Sequence, residues 1–248
     1  MTGTEAILLV TGGAAAGVVN TIAGGGSILT VPLLVIAGVP GNLANGSNRL
    51  GILASTAAAA ASFQRQGIGG LAHAASVLVP VLLGSLAGAL AIGRLDHATF
   101  ETVFGLLMVP LVVLSLRPPG AARGGASWGR GTTFAVFLAI GVYGGAFQAG
   151  IGLVLLAALS RAGFDLVTAN HIKALVALAV TLVALPVFIW QGHVAWGPAL
   201  VLAVGFTAGG WLGARLAVGG GERLIRAAMV VAALALSARL LGLPPFAG

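Results

Sequence analysis

The chain has 248 residues, 58% of them hydrophobic and 7% charged. A soluble domain carries about 25% charged residues, so this chain could not cover its own surface with polar groups, and its mean hydropathy of +1.09 marks it as a polytopic membrane protein. Eleven Arg, one Lys and five acids leave a net +7, but the charges are dispersed among apolar spans, which argues against a nucleic-acid surface, and the absence of Cys removes disulfide and thiolate chemistry.

Residues 5–23 predict a first span, with Asn20 the one strongly polar side chain in its second half. The stretch from Ala23 to Arg49 follows: a glycine cluster, an apolar run of about 11 residues over 27–37, a turn at 38–42, and small polar residues ending in Arg49. Spanning a bilayer takes roughly 20 helical residues. The short run is therefore expected to enter the membrane without crossing it as a regular helix, and irregular backbone at that depth survives only where protein buries it or where it lines a wet cavity. Residues 46–63, 70–92 and 99–116 predict three further spans, with Pro80 as a kink and Gly84, Ser85 and Gly88 as a packing face. A Pro/Gly/Arg stretch at 117–131 reads as a solvated linker.

A shift of 125 residues aligns the two sides of that linker without a gap from Gly25 to Gly213. Asn45 meets Asn170, Phe63 meets Phe188, Gln66-Gly67 meets Gln191-Gly192, and Gly84 and Gly88 meet Gly209 and Gly213. The second half then predicts a span at 132–149, a short segment at 151–162, and spans at 169–189, 195–217 and 223–242. The expected architecture is all-α, with two homologous repeats (1–117 and 132–248) joined by the linker at 118–131. Each repeat has about four transmembrane helices and one short broken or re-entrant helix, giving 8–10 membrane segments. Arg residues divide evenly between the two sides, so charge does not decide whether the repeats run parallel or inverted.

Short, glycine-interrupted segments at corresponding places in two halves point to a transporter binding site. The candidate substrate-binding residues are Gly24, Gly25, Gly26, Asn45, Gly46, Ser47, Asn48 and Arg49 in the first half, and Gly150, Gly152, Asn170, His171 and Lys173 in the second. The runs 45–49 and 170–173 are each read as the start of a helix after a half-span. Helix starts present N–H groups and about half a positive charge. With the side chains of Arg49 and Lys173 they would make a small electropositive pocket for a compact anion. The alternatives are plain N-caps for Asn45, Ser47, Asn48 and Asn170, snorkelling of Arg49 to the interface, and Asp165 as a surface partner for Lys173. His171 reads equally as a proton carrier or as a cap.

No carboxylate lies beyond the first turn of a predicted span, and there is no pair of ligating His at helical spacing, no carboxylate cluster and no phosphate-binding loop. No enzyme activity, metal or cofactor is expected. The Gly205–Gly213 face would serve equally for a homodimer contact or for internal packing.

These residues resemble the TauE/SafE sulfite exporter family, also called the 4-toluene sulfonate uptake permease family. The resemblance is carried by Gly24-Gly25-Gly26, Ile28, Val31-Pro32-Leu33-Leu34, Gly38 and Ala44-x-Gly46-Ser47. In the second half it is carried by Gly144-Gly145, Gly150-Ile151-Gly152, Ala169-Asn170 and Phe188-x-x-Gln191-Gly192. It implies a multi-pass transporter of the inner membrane, exporting sulfite, sulfoacetate or a similar sulfur-containing anion. Where the family tends to carry Thr-Ser, this chain has Ser47-Asn48 and Ile172-Lys173: a hydroxyl pair has gone and a cation has appeared. A passive anion channel and a non-transporting assembly protein are the competing readings.

Overall fold

The structure is a computed structural model describing residues 2–95, 99–100, 102–104, 106–107, 129–162 and 164–219. Most of the predicted span at 99–116, the linker up to 128 and the predicted span at 223–242 lie outside the described residues, as do Asp96, His97, Glu101 and Glu222. Every defined element among the described residues is a helix: α1 (Gly3–Ala23), α2 (Gly26–Ile36), α3 (Gly41–Arg65), α4 (Leu71–Ile92), α5 (Arg130–Ala146), α6 (Ile151–Arg161), α7 (Leu166–Trp190) and α8 (Trp196–Val218). Four of them, α1, α4, α7 and α8, are long and apolar enough to cross a membrane. Large apolar side chains such as Leu71, Val79, Leu83, Leu182, Leu200 and Val204 face outward, which suits a lipid surroundings rather than water.

The two short segments are helices of 11 residues each, about 16 Å long. Each begins after a break. Gly24 takes the left-handed conformation at φ 81°, ending α1. The second break holds two left-handed residues, Gln148 at φ 61° and Gly150 at φ 68°. Past the first break α2 folds back antiparallel along α1: Gly26 lies against Ala16 and Asn20, and Leu33 against Gly12.

The bounds of α2 and α3, moved by 125 residues, are those of α6 and α7. The ends of α3 and α7 also match. Gly67 and Gly192 are left-handed at φ 74° and 73°. The amides of Ile68 and His193 donate to the carbonyls of Phe63 and Phe188 at 3.1 and 2.8 Å, closing the same glycine-capped turn. Gln66-Gly67 and Gln191-Gly192, aligned by the 125-residue shift, form the same turn.

Glycines set how these helices meet. Gly205, Gly209 and Gly213 of α8 lie on the α1 backbone near Val10, Ala14 and Val18, so the two helices run parallel in direct contact. Gly84 and Gly88 of α4 lie likewise on Leu138 and Val142 of α5. The predicted packing face at 84–88 is thus real. The 205–213 face is occupied within the chain, which removes it as a contact between copies. The central helices α3 and α7 cross antiparallel, with Gly46 against the Phe188 ring and Phe63 against the His171 ring at 5.8 Å.

Asp165 is the N-cap of α7, accepting from the amides of Val167 and Thr168 at 3.0 Å each. Its carboxylate is thereby engaged at the helix end, which does not favour the alternative reading of Asp165 as a surface partner for Lys173. Hydrogen bonds from the Thr168 side chain and then its amide hold the carboxyl below its ordinary pKa.

Two predictions follow from caps and close contacts. A Cβ on Gly209 would fall on the carbonyl of Ala14, whereas one on Gly197 meets nothing within 4 Å. Gly209→Ala should lower stability by about 1–3 kcal/mol, and Gly197→Ala should raise it by about 0.5–1 kcal/mol, read as opposite shifts of the thermal midpoint in detergent. Because the folded pKa of Asp165 is depressed, its contribution is complete above the ordinary carboxylate value of about 3.9 and is lost as pH falls through the lower folded value. Asp165→Asn keeps a cap that does not titrate, so the variant should show a flatter acid limb in thermal unfolding against pH.

Candidate functional site

The two breaks meet. A Cβ on Gly24 would fall on the backbone of Gly152, and one on Gly152 on the backbone of Gly24. Only glycine at both positions lets the two chain reversals touch, so the candidate residues Gly24–Gly26 and Gly150–Gly152 share one locus.

Around that locus the ends of α1 and α5 each expose a last turn of carbonyls, which a helix cannot satisfy internally. A cation from the opposite half caps each. Arg49, fully buried on α3, donates through Nη1 to the Gly144 carbonyl at 3.2 Å and Gln148 Oε1 at 3.1 Å. Through Nη2 it donates to the carbonyls of Gly145 at 2.5 Å and Ala146 at 2.9 Å. Its guanidinium also lies 4.2 Å over the Phe188 ring, a favourable cation–π placement. Asn45 adds a donor to the same Ala146 carbonyl at 2.9 Å. Lys173, 3% exposed on α7, donates to the carbonyls of Asn20 at 2.9 Å and Thr21 at 2.5 Å, and to Asn170 Oδ1 at 2.7 Å. The carbonyls reached by Arg49 at 145 and 146 are those reached by Lys173 at 20 and 21, moved by 125.

This arrangement corrects the reading of 45–49 and 170–173 as helix starts. α3 begins at Gly41 and α7 at Leu166, so these residues occupy the second and third turns, and the N-caps are Pro40 and Asp165. The residues therefore offer side chains, not free helix N–H groups, and simple N-capping is excluded for Asn45, Ser47, Asn48 and Asn170. Snorkelling is excluded for Arg49 by its burial. The physical reason is the turn at 37–40: it is tighter than the sequence suggested, so α3 starts one turn earlier. The helix starts that do face the locus are those of α2 and α6, at Gly26 and Ile151.

A narrow pocket opens beside the junction. It is lined by Asn20 and Thr21 of α1, Ile52, Thr56 and Ala59 of α3, Gln148, Ile151 and Gly152 of the second break, and Lys173, Ala174 and Ala177 of α7. Lys173, Gln148, Thr56, Thr21 and the first residues of α6 all contribute to this lining, which carries a positive charge although the Lys173 N–H groups are engaged by Asn20, Thr21 and Asn170. Gln148 ties the locus together: its Oε1 accepts from Arg49 and its Nε2 donates to Thr181 Oγ1 at 3.0 Å. A non-glycine residue in the left-handed region marks a place where the surroundings hold the backbone against its preference.

Not every candidate residue reaches the pocket. Asn48 Oδ1 accepts from Thr30 Oγ1 of α2 at 2.6 Å. Gly46 packs on the His193 carbonyl, and Ser47 Oγ accepts from the Ala195 amide at 2.8 Å, so both serve the turn before α8. His171 lies on the Gly69 carbonyl at 3.0 Å, at the turn before α4, away from the pocket lining. Sequence reasoning missed Gln148, Thr56 and Thr30. The signal for Gln148 was available, since a polar side chain stands between the aromatic and glycine residues of the second break where the first has Ala23.

The sequence pattern of the family described as "Sulfite exporter TauE/SafE" matches residues 9–240. The chain is 27% identical over 234 residues to a "Probable membrane transporter protein" of Haemophilus influenzae, covering 92% of this chain and 91% of that one. It is 28% identical over 235 residues to the "Probable membrane transporter protein ORF9" of a Sinorhizobium species, covering 92% and 89%. It is 29% identical over 231 residues to the "Probable membrane transporter protein YfcA" of Escherichia coli K12, covering 91% and 86%. The chain belongs to the sulfite exporter TauE/SafE family.

Removing Arg49 leaves the Gly144 and Gly145 carbonyls without their side-chain donor, while Asn45 still reaches that of Ala146. Arg49→Met leaves neutral acceptors unpaired, at about 1–3 kcal/mol for each buried group, and should therefore cost roughly 2–6 kcal/mol. Arg49→Lys should recover part of this, because a point ammonium cannot reproduce the planar fork. Thermal unfolding of the purified chain in detergent checks the order wild type, Lys, Met.

Proposed function

We propose that this member of the TauE/SafE family is a secondary transporter, acting as an exporter, of sulfite or a related small sulfur-containing organic anion such as sulfoacetate. The anion is held where the two glycine breaks meet, in the pocket lined by Lys173, Gln148, Thr56 and Gly152, and the inner membrane is its location. The observation that carries this is the buried Lys173 ammonium at the wall of a polar pocket formed by both halves of the chain. An ionisable group inside a membrane protein is costly to place there and is characteristically tied to a transport path.

The reading takes residues 1–117 and 132–248 as duplicated halves in inverted orientation, joined by the linker at 118–131. It is supported by the recurrence of helix bounds at 125 residues and by the antiparallel crossing of α3 and α7, which are counterparts under that shift. Inverted halves enclosing a site of broken helices allow one half to rock against the other, exposing the pocket to each side in turn. Lys173 supplies the charge that attracts the anion. The start of α6 and the Gln148 carboxamide supply directed donors, and Arg49 holds the opposite break in shape. The four long apolar helices meet the lipid.

Uptake of sulfite into proteoliposomes should saturate, show counterflow, and fall by at least tenfold in Lys173→Ala, corresponding to about 1.4 kcal/mol or more. Uptake unchanged by the substitution would remove Lys173 from the site. Flux without counterflow or saturation would replace the carrier by a channel.

A further inference from the structure

The two cation-capped helix ends are alike in their carbonyls but not in the space beside them. On the α5 side the space is filled: the Arg49 guanidinium lies between the last α5 carbonyls, Gln148 and the Phe188 ring. On the α1 side a pocket remains. The difference traces to one pair of positions. Arg49 and Ala174 are 125 residues apart and occupy the same turn of α3 and α7. Cations come from neighbouring, non-equivalent positions, with Lys173 corresponding to Asn48. One half therefore places its cation at the first position and a methyl at the second, while the other places an amide and then a guanidinium. Ala174 is 2% exposed and lines the pocket next to Lys173.

We propose that Ala174 sets the size of the anion that the chain accepts: the Lys173 ammonium takes the carbonyls that correspond to those held by Arg49, while the methyl at 174 stands where the other half carries the bulk of the Arg49 side chain, and the side chain at 174 decides how large a group beyond the oxyanion head fits. This rests on the reading of the pocket as the substrate site. The charge of the ammonium would attract the oxyanion head, which every sulfur oxyanion shares, and Gln148 and the start of α6 would face it. The organic substituent, which sulfite lacks, would meet Ala174, Ala177 and Ile52, the apolar part of the lining. An apolar wall discriminates by volume, at about 10- to 200-fold for one methylene added or removed.

The test is a series at position 174 in the full chain, purified in detergent. Binding of sulfite, methanesulfonate and benzenesulfonate is measured by calorimetry, with thermal unfolding as the check on folding. Ala174→Val should weaken benzenesulfonate by about tenfold or more while sulfite changes by less than about threefold. Ala174→Leu should weaken all three, and Ala174→Gly should shift the ratio towards the larger anion. The ratio between anions is the informative readout, since a loss of packing alone would lower all affinities together. Binding ratios that stay constant across Gly, Val and Leu in folded protein would overturn the role of Ala174 while leaving the anion site itself in place. If Leu fails to fold, the Gly and Val ratios decide alone. Wild-type protein that binds none of the three anions would overturn the substrate reading and this inference with it.

Discussion

The structure depends on how helix ends are satisfied away from water. A helix that stops inside a protein leaves a turn of carbonyls without donors, and in a bilayer no solvent can supply them. This chain stops two helices there, α1 at Ala23 and α5 at Ala146, and answers each with a cation carried on a helix of the opposite half. The magnitudes decide the balance. A cation at mid-membrane costs roughly 2.5–3.5 kcal/mol on insertion scales. Each hydrogen bond to a charged group contributes about 1.5–3 kcal/mol, and Arg49 makes four and Lys173 three. The cations are affordable where they sit because the broken helices are there, and the reverse holds as well.

Glycine makes the rest of the arrangement geometrically possible. The contact of Gly24 with Gly152 brings the breaks together, and the glycines of α4 and α8 allow backbone-to-backbone approach to α5 and α1. In lipid the apolar effect gives little attraction between helices, so close packing takes its place. The result is two pairs of parallel helices, α1 with α8 and α4 with α5, flanking the antiparallel crossing of α3 and α7. The first helix of each half is thus paired with the last described helix of the other.

Much of this was legible in the residues. The short segments, the 125-residue recurrence, the glycine breaks and the pairing of Arg49 and Lys173 with the centre all follow from patterns of apolar length, glycine and isolated charge. What was not legible was the register of the polar residues on α3 and α7. Polar runs such as Asn45-Gly46-Ser47-Asn48 look like helix starts because Ser and Asn favour caps. Nothing local shows that a proline at 40 and an aspartate at 165 have already begun the helix. The partners of Arg49 were hidden for a different reason: they are main-chain oxygens, which every residue possesses. Gln148 stood in view as a polar residue in the second break, but its partners, Arg49 and Thr181, lie on other helices.

The capping of α5 by Arg49 also has a consequence in time. Arg49 leaves the ribosome about 95 residues ahead of the carbonyls that receive it, whereas Lys173 emerges when the end of α1 has long been made. During synthesis the first half therefore carries a guanidinium with no acceptor of its own in place, on a helix that is not among the four apolar enough to enter lipid by themselves. The contacts of Arg49 with α5 can form only once α5 has been made. The second half faces no such delay. Each half thus lacks, on its own, the cation that caps its broken helix, and the order of synthesis makes the α5 contacts of Arg49 wait for the second half.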